Sequence, residues 1–123
     1  MIGYVTLGTN DIARSARFYD AIAAEMGVGR MMEFDTYIAF GVPGGAPGVA
    51  VIKPFDGNPA SVGNGVMVAL EASDRDQVDR IHSIALAHGG SDEGLPGPRG
   101  DQGFYACYFR DPDGNKLNAF VMG

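Results

Sequence analysis

Residues 104–123 read FYACYFRDPDGNKLNAFVMG. Two runs of aromatic, β-branched and other apolar residues flank Asp111-Pro112-Asp113-Gly114-Asn115, where Pro fixes φ and Gly supplies φ > 0, so the stretch predicts a tight hairpin. With Arg110 opposite Lys116, Tyr108 faces Asn118 and Ala106 faces Phe120 on one side, while Phe109, Leu117, Cys107 and Ala119 line the other. The second side is plain apolar core. The first carries a Tyr and an Asn among apolar neighbours, as the lining of a cavity would.

Working back to the N-terminus, Ile2 to Leu7 predicts a strand with Tyr4 and Thr6 on one face and Val5 and Leu7 on the other. Asn10 or Asp11 caps a helix whose inner stripe runs Ile12, Ser15/Ala16, Tyr19, Ile22, Ala23 and Met26 and which stops at Gly27. Three short strands follow at Met31 to Phe34, Tyr37 to Val42 and Gly48 to Pro54. Asp56 to Asn64 is polar and turn-rich, and reads as a linker. After it the pattern restarts with a strand at Val66 to Glu71 and a helix capped by Ser73, with Asp76 completing a capping-box-like pair and Val78, Ile81, Ala85 and His88 facing inward before Gly89-Gly90. Ser91 to Gly103 reads as a long Gly/Pro-rich loop with room for one short strand, or as a lid. The shift that lays Tyr4 on Met67 also lays Leu7 on Leu70, Asp11 on Asp74, Ile22 on Ala85 and Gly27 on Gly90. The chain is therefore expected to hold two copies of one β-α-β-β-β unit, residues 1–55 and 65–123 joined by 56–64, in a single α+β domain.

Composition narrows the partners. A chain of 123 residues with 46% hydrophobic and 20% charged residues suits one globular domain. A net charge of −6 with nine scattered basic residues argues against a nucleic-acid partner, which needs a concentrated basic surface. Neither a membrane span nor a signal-peptide pattern is visible, and one Cys cannot form an internal disulfide, so no membrane partner and a cytoplasmic location are expected.

Asp11-x-x-Arg14-Ser15-x-x-Phe18-Tyr19, Val78-Asp79-Arg80-Ile81-His82 to Gly89-Gly90, and Phe109-Arg110-Asp111-Pro112-Asp113-Gly114-Asn115, in this order within two β-α-β-β-β units, resemble the vicinal oxygen chelate superfamily. This is the family of glyoxalase I, bleomycin-resistance proteins, fosfomycin-resistance enzymes and extradiol dioxygenases. The resemblance implies curved mixed sheets enclosing a cavity, with helices outside, and a homodimer. It also implies where a metal would sit. Metal-using members carry His or Gln on the first strand, His on the strand opening the second unit, and Glu on the last strand, seven residues after the Asp that opens the DPDG turn. Here those places hold Tyr4, Met67 and Asn118, and the apolar run Val49 to Ile52 lacks the further carboxylate some members use.

A phenol, a thioether and a neutral amide offer a first-row divalent metal no imidazole or carboxylate, so no metal and no cofactor are expected. His82 and His88 lie on the second helix and read as partly exposed structural residues. Cys107 reads as an inert buried thiol, and Asp111 and Asp113 as turn formers. Gly41 to Gly48 lacks the helix and Lys of a phosphate-binding loop. Strand parity nominates Tyr4, Thr6, Met67, Ala69, Tyr108, Asn118 and Phe120 as cavity lining, together with Tyr37 and Ala39, or in the other register Ile38 and Phe40; the first pair is preferred. Such a lining suits a small organic molecule oriented by Tyr and Asn. The plainer alternative is that these side chains fill a closed core. The other functional alternative is a lyase-, dioxygenase- or isomerase-type enzyme using non-standard metal ligands or Tyr acid/base chemistry, with Tyr4 and Tyr108 as proton donors if clustered with Arg99 or another cation, although nothing in the spacing establishes such a cluster.

Overall fold

Among residues 1–45 and 47–123, which the computed structural model describes, backbone pairing groups eight strands into two sheets of four. The first half of the chain runs β1 (Tyr4–Gly8), α1 (Ile12–Glu25), β2 (Gly29–Phe34), β3 (Tyr37–Gly41) and β4 (Gly48–Ile52), with spatial order β1-β4-β3-β2. The second runs β5 (Val68–Glu71), α2 (Arg75–Ala87), β6 (Ser91–Pro98), β7 (Phe104–Arg110) and β8 (Lys116–Met122), with order β5-β8-β7-β6. In each sheet the first strand lies parallel to the last and the other pairs are antiparallel. The α+β repeat read from the sequence is thus the architecture.

The C-terminal hairpin has the expected register, with Arg110 opposite Lys116, Tyr108 opposite Asn118 and Ala106 opposite Phe120. Both helices start at the aspartates that the repeat aligns. Asp11 accepts from the Arg14 N–H at 3.0 Å and Asp74 from the Gln77 N–H at 2.8 Å. The expected Ser73/Asp76 cap is therefore displaced by one residue. Asp74 has the extended backbone of an N-cap, and the Gln77 side chain reaches back to Ser73 N–H at 2.8 Å, closing the box from the N3 position.

The larger correction concerns residues 91–103. Most of this expected loop is β6, an edge strand of eight residues whose pairing with β7 shifts between Asp92 and Gly94 and again between Gly94 and Gly97. An edge strand can spare N–H groups, and bulges absorb the extra residues, so Pro96 and Pro98 fit there where a central strand would reject them.

One continuous core joins the halves. Leu7, Phe18, Ile22, Phe40 and Val51 from the first unit merge with Val78, Ile81, Phe109 and Leu117 from the second. The helices pack on each other, and the Gln77 amide donates to the Glu25 carbonyl at 3.0 Å while Arg80 Nε pairs with the Glu25 carboxylate at 2.9 Å. No helix among the described residues is long and apolar enough to cross a membrane.

The DPDGN turn does more than reverse the chain. Asp111, 3% exposed, accepts the backbone N–H groups of Asp113 and Asn115 through Oδ1, and the Tyr19 hydroxyl (2.7 Å) and Asn115 amide (2.9 Å) through Oδ2. Asn115 Nδ2 also donates to the Gly8 carbonyl at 2.9 Å, and Asp113 accepts from Asn10 N–H and Arg14. The turn of the second unit is thereby bolted to β1 and α1 of the first. The residues that looked like separate weak motifs on α1 and at the turn are two halves of one contact.

His82 departs from expectation. It is 5% exposed, and its Nε2 lies 2.8 Å from Asp92 Oδ1, tying α2 to the start of β6. His88 is exposed at the helix end, with Nδ1 2.8 Å from the Ile84 carbonyl.

Candidate functional site

Each sheet has one face under its helix and one face turned away from it. Ile38, Phe40 and Val51 face α1 in the core, which puts Tyr37 and Ala39 on the open face together with Tyr4, Thr6 and Ala50. The preferred register of β3 is the observed one. In the second sheet Cys107, Phe109, Leu117 and Ala119 face the core, leaving Tyr108, Asn118, Phe120 and Ala69 on the open side. Met67 immediately precedes β5 and is 41% exposed. The nine nominated residues therefore all lie on, or at the edge of, an open face.

They are not all brought together within one chain. Tyr4, Thr6 and Tyr37 belong to the first sheet and Tyr108, Asn118 and Phe120 to the second, and among the described residues no strand pairing joins the two sheets. Met67 and Phe120 help line a cleft of about 620 Å3 at the seam between the units, beside Val5 and Val49. Met67 also lines a second cleft of about 480 Å3, formed by the linker and by Arg110 and Lys116.

The open face of the first sheet is rich in sulfur and rings. Tyr4 is 64% exposed and Phe34 62%; Phe34 packs against Tyr37 with ring centroids 6.4 Å apart, and Met32 pairs with Ala39. Met31 lies across the surface because Gly41 and Gly48 have no side chains, a Cβ at Gly41 falling 2.8 Å from Met31 Sδ.

The second open face is more polar. Phe104 stacks on Phe120 at 5.7 Å. The Tyr108 ring lies between two cations, with the Arg99 guanidinium and the Lys116 ammonium each 5.5 Å from its centroid. The cluster that spacing alone did not establish around Tyr108 is thus present. Arg99 is fixed by donating to the carbonyls of Gly97 (2.9 Å) and Leu95 (2.7 Å). Gly94 leaves room for it, since a Cβ there would stand 3.1 Å from the Tyr108 ring and 3.3 Å from Arg99. Arg110 donates to the Gly114 carbonyl at 2.9 Å and pairs with Glu93, whose carboxyl it holds below the ordinary range. Next to Tyr108, Asn118 is 1% exposed and its Oδ1 has no hydrogen-bond partner. A buried acceptor left unmet costs about 1–3 kcal/mol, a condition Asn118 shares with Ser15 Oγ and Asp113 Oδ2.

Strand parity alone identifies Phe34, Phe104 and Lys116 as belonging to these faces, although they were not nominated. Arg99 was named as a possible partner of Tyr108, but its place beside the ring depends on β6, which the sequence left as one short strand of unstated bounds within a loop. Among the described residues no three His, Cys, Asp or Glu side chains come together as a metal would require. Cys107 is buried and its thiol is pushed up to about 11, chiefly by burial.

Residues 1–119 match the family model of the Glyoxalase/Bleomycin resistance protein/Dioxygenase superfamily. The chain belongs to this superfamily. A glyoxalase/bleomycin resistance protein from Albidiferax ferrireducens is similar along the whole length, with 34% identity and a TM-score of 0.90 over 100% of this chain and 99% of that one. A hypothetical protein from S. aureus shares 24% identity and the fold, at a TM-score of 0.75 over 98% and 92% of the two chains. A lactoylglutathione lyase from Agrobacterium tumefaciens shares the fold alone, with 20% identity, a TM-score of 0.70, and coverage of 98% and 92%. A search of curated proteins returned no match. Membership in the superfamily raises the question of its metal, since Tyr4, Met67 and Asn118 occupy the places that the resemblance assigned to ligands.

Proposed function

We propose that this superfamily member binds a small organic molecule, without a resident metal, in a cavity made when the open face of one sheet is covered by the other sheet of a second copy. The carrying observation is the buried Asn118 Oδ1 with no partner, set beside Tyr108 on a ring-lined open face. It suits a hydrogen-bond donor carried by an organic ligand. The Tyr4, Met67 and Asn118 donor set fits a divalent metal poorly, because hard and borderline cations hold to imidazole, carboxylate or thiolate.

Pairing between copies is supported by the exposed rings and methionines, Tyr4, Met32, Phe34 and Met122 among them, which a lone chain leaves in water. It is supported also by the separation of Tyr4 from Met67 and Asn118, since an exchange of sheets between copies would bring them face to face. Cytoplasmic residence belongs to the same reading, in keeping with the reduced, buried Cys107.

Two experiments test it. Metal content after dialysis against Zn, Mn, Ni and Fe is expected to be far below one ion per chain, and near-stoichiometric retention overturns the metal-free reading. For the assembly, Tyr4→Asp and Asn118→Asp variants are each expected to lose ligand-induced thermal shift, while mixed heterodimers regain it in one of their two cavities. Absence of recovery in dimers shown to be mixed refutes the shared cavity.

A second reading draws on the Arg99/Tyr108/Lys116 cluster: a lyase- or isomerase-type enzyme in which Tyr108 moves a proton. Loss of turnover without loss of binding in Tyr108→Phe would favour it over simple binding.

A further inference from the structure

We infer that the ligand of the second sheet's open face is a small organic anion whose charged group is received by Lys116 and Arg99 and whose apolar body lies over Tyr108 and Met67. The inference rests on the reading of that face as a ligand site and adds the chemical class.

The chain is acidic, at −6, yet three of its nine basic side chains, Arg99, Arg110 and Lys116, gather at this one place. Elsewhere Arg14 is matched with Asp113, Arg30 with Asp20 and Glu33, and Arg80 with Glu25, while Arg17, Lys53 and Arg75 stand apart without an ion pair among the described residues. Here Glu93 pairs with Arg110 and also feels the Lys116 charge. Arg99 and Lys116 form no ion pair among the described residues. Two cations, a guanidinium held by backbone carbonyls and an ammonium, therefore lie near one ring with about one excess positive charge each.

The local construction holds these charges in place before any ligand arrives. Gly94 and Gly97 clear the path along which Arg99 curls back over β6, and the carbonyls of residues 95 and 97 hold it there. The cleft of about 480 Å3 between the linker, Met67, Arg110 and Lys116 is large enough for a single-ring compound. The anion takes the ammonium side, and the ring lies over Met67 and towards Tyr108, whose row on the sheet adjoins that of Lys116. Carboxylates and phosphate esters share this chemistry.

The test is titration of the whole, unmodified protein with mandelate, with phenyl phosphate and with neutral mandelamide, followed by amide chemical-shift changes at residues 66–69, 108 and 118. At least about tenfold tighter binding of one of the anions than of mandelamide is expected, with the preference lost in Lys116→Met. The better of mandelate and phenyl phosphate names the anionic group. Equal binding of mandelamide and the anions at these residues overturns the anion inference and leaves the ligand site standing. No shift at these residues with any probe overturns both. If Lys116→Met fails to fold, the anion-to-amide ratio in the unmodified protein decides alone.

Discussion

Replacing Tyr19 by Phe removes one hydroxyl from the bolt between the two units and nothing else of size. The ring keeps its contacts with Phe18 and Phe40, at centroid distances of 4.9 and 5.9 Å. What is lost is the 2.7 Å hydrogen bond to a carboxylate that is 3% exposed. A hydrogen bond to a charged group contributes about 1.5–3 kcal/mol. Three other donors still serve Asp111, namely the Asn115 amide and the backbone N–H groups of Asp113 and Asn115, so the carboxylate is not orphaned and the cost stays within that range. For a chain of this length that corresponds to a melting temperature lower by roughly 5–12 °C at fixed protein concentration.

The pH dependence adds a second signature. Burial first, and then the Asp111 charge, hold the Tyr19 phenol well above its ordinary 10.0. The folded chain thus keeps the proton where the unfolded chain releases it. Stability from Tyr19 is complete below pH about 10 and is lost as pH rises through the folded value. Urea unfolding of the two proteins should therefore show a gap that is constant near neutrality and narrows above pH about 10. A Phe variant as stable as the parent at pH 7.5, or a gap that widens with alkali, refutes the account of the bolt.

Three further outcomes are expected. Gly90→Ala should be damaging although φ there is ordinary, because a Cβ would stand 2.6 Å from the Arg110 carbonyl and 2.7 Å from that of Ala85; at least about 1–3 kcal/mol in chemical denaturation is expected, against about 1 kcal/mol for Gly27→Ala, where the strain is only in φ. His82 holds the Asp92 carboxyl below its ordinary 3.8, so stability from Asp92 is present above that pH and is lost as pH falls further; Asp92→Asn should flatten the acid limb of a melting-temperature profile. Cys107, with its thiol pushed up to about 11, should resist a thiol reagent at pH 8 in the native protein and react fully in urea.

The fold was legible because two period-based signals agreed. Alternation fixed the C-terminal hairpin register, and the repeat fixed element order; the repeat even places Asp74 where Asp11 stands, and both prove to be N-caps. Ser73 misled because Ser caps helices as well as Asp does, and only the backbone distinguishes them. β6 was hidden by its own composition. Gly94, Pro96, Gly97 and Pro98 are breaker residues in an interior strand, but at a sheet edge, opposite the robust β7, their costs are small. His82 was misjudged for a related reason. Its partner Asp92 lies at the start of that strand, whose position the sequence left open, so no sequence signal showed what would satisfy a buried imidazole.

The candidate site was legible one face at a time. Strand parity separates inward from outward residues without knowing which outward faces meet, and the nine nominated side chains lie on open faces or at their edge. Parity carries no information about charge contributed from beyond a neighbouring strand, so Arg99 could be named as a candidate partner of Tyr108 but not placed beside it. Once β6 is in place, glycines whose only apparent role was to interrupt become the reason the guanidinium can lie flat beside the ring. The two readings then constrain each other. The same open face that lacks a carboxylate at Asn118 has cations in excess beside it, so a negative charge absent from the protein is one the ligand can bring.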